Sequence, residues 1–138
     1  MASVVARWQS ASPAFHAALR MVAGFLIIWP GTVALFGYPM AMPGGGTAAV
    51  GSQSWIGAVL QVAGGSLMLV GFRTRPVAFL LSGEMAVAYW QFHAPGGPWP
   101  VVNGGMPAAL FCFVFLFFSA AGAGPLSIDA WRRARPTA

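Results

Sequence analysis

A chain of 138 residues that is 58% hydrophobic and 7% charged, with a mean hydropathy of +0.73, lacks the polar surface expected of a soluble domain and reads as a membrane protein. The net charge of +5 sets seven arginines (Arg7, Arg20, Arg73, Arg75, Arg132, Arg133 and Arg135) against two acids, Glu84 and Asp129. The arginines lie scattered between apolar runs rather than along one solvated stripe, which argues against nucleic acid as a partner. Cys112, the one cysteine, permits neither an intrachain disulfide nor a cysteine metal cluster.

The opening MASVVARWQSAS has no short apolar core followed by a small-residue cleavage site, so no cleaved leader is expected. Four apolar segments follow, about 15–36, 54–72, 76–92 and 101–121, each near the roughly 20 residues that cross a hydrocarbon core as helix. Gly and Pro punctuate the joints FGYPMAMPGGG, HAPGGPWP and AGAGPLS. The expectation is an all-α fold: one domain, 1–138, built as a four-transmembrane-helix bundle with a tail at 122–138.

With four spans, Arg7, Arg73, Arg75 and the arginines of the tail share one side, and the other two loops hold no charge. The positive-inside rule then places both termini in the cytoplasm. In the tail PLSIDAWRRAR, Ser127 can cap a short amphipathic interfacial helix with Asp129 in its first turn and arginines in its last. Trp131, Arg132, Arg133 and Arg135 would meet lipid headgroups there.

Within the spans the ionisable groups are Arg20 and Glu84. A charge in hydrocarbon costs about 2.5 to 3.5 kcal/mol even on insertion scales, so each should face a partner or a cavity. Counted from the same end, both fall roughly 8 to 12 Å deep on parallel spans. An Arg20–Glu84 ion pair is the preferred, structural reading. The competing reading makes Glu84, with His93, a proton-handling group. Gln61 and Asn103 are the further intramembrane polar residues, with Gln61 suited to interhelical hydrogen bonding. His93 with Met40, Met42 and Met106 has no ligand rhythm, so no metal site is assigned. No Ser, His and acid set suggests a hydrolytic triad.

GGSLMLVGFRTRP, SGEMAVAYWQFHAPGGPWPVVNGG and GAGPLSID together resemble the DoxX family of small four-helix membrane proteins. The resemblance runs from Arg20 and GFLIIWPG to Asp129. It picks out Arg20, Gly31, Gly65, Gly71, Arg75, Glu84, Met85, His93, Asn103, Gly104, Gly105, Ser127 and Asp129. It implies a bundle in a prokaryotic inner membrane. Ala34, Gln61 and Met106 stand where family members often carry Lys, Glu and Glu, so this chain has lost the outer charged groups of its relatives.

The resemblance also implies an accessory subunit of a redox or respiratory, quinone-linked oxidoreductase assembly. Such a subunit would have no intrinsic cofactor, with a bound quinone as the candidate ligand, and its partners would be membrane lipid and a larger protein complex. The alternative is a non-catalytic binding or assembly protein that docks proteins or lipids, with Arg20 and Glu84 purely structural.

Overall fold

The structure, a computed structural model, describes residues 2–134, and among these it is all-helical with no strand. The helices are α1 (Ala2–Phe36), α2 (Gln53–Val70), α3 (Thr74–Ala88), α4 (Pro100–Asn103), α5 (Met106–Ala121) and α6 (Ile128–Arg133). A π-helical turn, Tyr89–His93, and a 3-10 turn, Ala94–Gly96, extend α3 towards the next loop.

Two helices differ in extent from the apolar segments read in the sequence. The first helix starts well before residue 15: it runs from Ala2 and passes through Pro13, over a stretch, 2–14, that holds four alanines and no glycine. The segment at 101–121 is broken, because Gly104 takes the left-handed conformation at φ +70° and ends α4. Pro107, in the first turn of α5, then restarts the helix where a missing N–H does no harm.

Two helices, Ser3–Phe36 and Gln53–Val70, are long and apolar enough to cross a membrane. Only 28% and 22% of their apolar windows are buried, so most of that surface faces outward. The 16-residue α5 is apolar but shorter.

Two helix pairs carry the packing, α1 with α2 and α3 with α5, and α2 joins them by a lighter contact with α3. The α1–α2 seam is glycine-built. A Cβ on Gly24 would stand 2.8 Å from the carbonyl oxygen of Gly65, and one on Gly31 would stand 2.8 Å from that of Ala58. Seven residues are about two turns, so both glycines face α2 and let the backbones touch. In the second pair, Ala78, Leu81 and Met85 of α3 meet Ala108, Phe115 and Phe118 of α5, and Ile27 and Met68 close the same cluster. The Ser82 hydroxyl donates to the Cys112 carbonyl at 2.8 Å, which satisfies a polar group inside this seam. The lighter α2–α3 contact leaves a cleft.

Candidate functional site: the Glu84 cleft and the Arg20 clamp

The expected Arg20–Glu84 pair is not formed. Arg20 is fully buried (0% exposed), and its guanidinium is spent on backbone carbonyls. Nε donates to Ala123 at 2.9 Å, Nη1 to Leu69 at 2.7 Å and also to Met68, and Nη2 to Leu126 at 2.6 Å. Met68 and Leu69 lie in the last turn of α2, whose carbonyls lack the regular i+4 helical partner and form the negative end of the helix dipole. The five donors of the guanidinium can be spread over several carbonyls, whereas a bidentate carboxylate would engage only two of them.

Depth is the physical reason for the correction. Arg20 lies level with the end of α2, whereas Glu84 is ten residues into α3, about 15 Å along it.

The chain around Arg20 is shaped to admit it. Gly71 sits at φ +67°, caps α2 through N–H bonds to Leu67 and Met68, and leaves only 2.9 Å between a hypothetical Cβ and Arg20 Cζ. His16 Nε2 reaches the Gly122 carbonyl at 2.9 Å, and Arg75 Nη1 donates to Ala120.

Asp129 completes this end. Its Oδ1 accepts from the Arg73 N–H and its Oδ2 from the Thr74 N–H, each at 2.9 Å, so it caps the start of α3. That cap holds Arg73 at φ +48°, a left-handed conformation unfavourable to a side chain. Partial burial pushes the Asp129 carboxyl up. The N–H groups of Thr74 and Arg73 and the charge of Arg133 outweigh this and hold it below the usual carboxylate range.

Ser127 Oγ accepts from the Ala130 N–H at 3.1 Å, which is the cap read from the sequence. Trp131, Arg132 and Arg133 lie exposed on α6, with Arg132 over the Phe72 ring at 5.5 Å. Arg135, assigned with them to lipid headgroups, lies outside the described residues.

Glu84 is held by α2 instead. Its Oε1 accepts from Gln61 Nε2 at 2.8 Å, while Oε2 is buried with no hydrogen-bond partner among the described residues. Gln61 and Gly57 are one turn apart on α2, and a Cβ on Gly57 would lie 3.1 Å from Oε1, so this glycine makes room for the carboxylate.

The carboxylate and Gln61 belong to the wall of a cleft of about 790 Å³ between α2, α3 and the Pro30–Ala34 turn of α1. That volume is in the range of small-molecule sites. Ile56, Leu60, Phe79, Leu80 and Val87 make its apolar surface, and His93 borders it. The structure thus brings Glu84, Gln61 and His93 to one cleft and sends Arg20 elsewhere.

Asn103, expected as an intramembrane polar group, ties a loop. Its Nδ2 donates to Gly97 at 2.8 Å, its Oδ1 accepts from the Gly105 N–H at 2.7 Å, and its carbonyl lies 3.2 Å from His93 Nδ1. Among the described residues no three of His, Cys, Asp and Glu converge as a metal site. The sequence reading missed Gly57 and the backbone partners of Arg20. The only signal for the former was its i, i+4 spacing from Gln61.

No family model matches the chain, and no solved structure matches it. An uncharacterized protein of Haemophilus influenzae is 37% identical over 120 residues, which cover 85% of this chain and 90% of that protein. At that identity and coverage, the chain belongs to the same family as the Haemophilus influenzae protein.

Proposed function

We propose that this chain is a DoxX-like membrane protein with four spans and cytoplasmic termini, which binds a quinone in the Glu84 cleft as an accessory subunit of a redox assembly in a bacterial inner membrane. The observation that carries the reading is the cleft itself. A mainly apolar slot holds the Glu84 carboxylate in contact with the Gln61 amide, with an imidazole at its border. Such a site suits a lipophilic ring bearing hydrogen-bonding oxygens.

Membrane residence is supported by the outward apolar surfaces. Leu110 and Phe113 of α5 are 65% and 69% exposed, and less than a third of each long apolar window is buried. Gathering Arg20, Arg75, Asp129 and α6 at one end supports the cytoplasmic assignment of that end. Any electron transfer belongs to the partner enzyme and the quinone, while this chain would bind the ring and orient it.

The test is purification in mild detergent with quinone extraction and identification of co-purifying proteins. Stoichiometric quinone, an oxidoreductase partner, and slower quinol turnover in membranes lacking the protein are expected. Quinone-free protein and unchanged turnover would refute the reading. Reporter fusions at the C-terminus should report a cytoplasmic location.

A further inference from the structure

Gly83 differs from the other glycines of the helix seams. A Cβ on Gly24, Gly31, Gly57, Gly64 or Gly65 would meet an atom of a neighbouring helix at 3.1 Å or closer, so close packing explains each of them. A Cβ on Gly83 would meet nothing within 4 Å. Gly83 is exposed on the cleft wall, beside Glu84 and between Leu80 and Val87. These four positions recur at i, i+3, i+4 and i+7, so one face of α3 presents them together. A glycine inside a helix disfavours that helix relative to alanine, and at Gly83 no tighter packing offsets this. What the missing side chain leaves is open space beside the carboxylate.

The cleft wall also has a distinctive polarity. Among the described residues its polar side chains are Gln53, Ser54, Gln61, Glu84 and His93, and no arginine lines it. The arginines Arg20, Arg73, Arg75, Arg132 and Arg133 belong to the opposite end, around the close of α2 and α5. A carboxylate without a cation repels phosphate and carboxylate headgroups, and it accepts hydrogen bonds from O–H donors. Gln61 provides the one side-chain hydrogen bond to Glu84 among the described residues, which leaves acceptor capacity on the group.

The geometry points to Gly83 as the size-determining position of the cleft, through which an uncharged, hydroxyl-bearing lipophile enters sideways from the bilayer, with its head against Glu84 and Gln61. This rests on the quinone-site reading and deepens it. The head is the reduced, hydroxyl-bearing form in preference to the oxidised one, and anionic phospholipid is excluded. The chain of the ligand leaves over Gly83, between Leu80 and Leu60, into the apolar surroundings.

The test uses the full chain in neutral-lipid nanodiscs, with a decyl-tailed hydroquinone, its oxidised quinone and phosphatidylglycerol as probes, read by equilibrium binding. The wild-type chain should bind the hydroquinone saturably and more tightly than the quinone, and phosphatidylglycerol should not compete. Gly83→Leu should weaken hydroquinone binding at least tenfold without lowering Tm, because its Cβ has no neighbour within 4 Å and alanine-like crowding is absent there. Leu80→Trp, which fills the same entrance from the next turn, should do likewise and provides a second variant should Gly83→Leu not fold. Glu84→Gln should reduce the preference for hydroquinone over quinone. Undiminished binding by a folded Gly83→Leu or Leu80→Trp protein overturns the entry route alone. Tighter binding of the quinone, or competition by phosphatidylglycerol, overturns the proposed head chemistry. A wild-type chain that binds neither hydroquinone nor quinone overturns the quinone-site reading and this inference with it.

Discussion

The two ends of the α2–α3 hairpin treat a buried ionisable side chain in opposite ways. At the Arg20 end, the guanidinium reaches four carbonyls drawn from α2 and from the segment before α6, and Asp129 is committed to two backbone N–H groups. At the Glu84 end, one carboxylate oxygen meets Gln61 and the other meets no hydrogen-bond donor among the described residues. A guanidinium cannot shed its charge, so its donors have to be satisfied by the fold. A carboxylate can take a proton or a ligand, so it can be left incompletely bonded. The first arrangement is a clamp and the second is a site.

Breaking the clamp should produce the largest effect. Arg20→Met strands the carbonyls of Leu69, Ala123 and Leu126 and leaves Met68 with only the Gly71 N–H, and it should destabilise the fold by about 3 to 5 kcal/mol in detergent unfolding. Arg20→Lys should recover only part of this, because an ammonium lacks the planar fork.

Gly71→Ala should follow, at about 2 to 4 kcal/mol, from a left-handed backbone at φ +67° combined with crowding against Arg20. Asp129→Ala should cost about 1 kcal/mol through loss of the α3 cap.

Asp129 also sets a pH dependence. Its folded-state pKa lies below the unfolded value, so its stabilisation is complete above the unfolded value, near 3.9, and is lost as pH falls through the lowered one. Asp129→Asn should flatten that acid limb of a Tm-against-pH profile.

On the site side, Glu84→Gln should change stability by no more than about 1 kcal/mol, since an amide can keep the contact with Gln61. The smallest effect sharpens the comparison most. In a double-mutant cycle, Arg20→Gln and Glu84→Gln should be additive within about 0.5 kcal/mol, because the two side chains share no partner. Coupling well above that would mean that the two ends are one network.

Much of the scaffold was readable from residue types. Long apolar runs between Gly/Pro joints are helices, and Ser127 followed by Ile-Asp-Ala caps the last of them. The partner of Arg20 was not readable, because sequence shows opposite side-chain charges but no letter marks an exposed helix-end carbonyl. Matching the cation to the nearest acid was the natural inference, and it failed because depth along α3 separates them. Glycine posed a related problem. Gly57 and Gly83 are the same letter, yet one is pressed by Glu84 and the other opens onto free space, and only the position of the neighbouring helix distinguishes them. Gln61 read correctly as a residue that bonds between helices, although its partner became clear only when α2 and α3 were seen side by side.

The Arg20 clamp also has a consequence for the order in which the protein is made. Two of its acceptors, Ala123 and Leu126, are synthesised 103 and 106 residues after the arginine they bind. A nascent chain that has produced α1 and α2 can offer the guanidinium only Met68 and Leu69. The first helix therefore reaches its final environment only after the segment that carries Ala123 and Leu126 has been made and has folded back onto it.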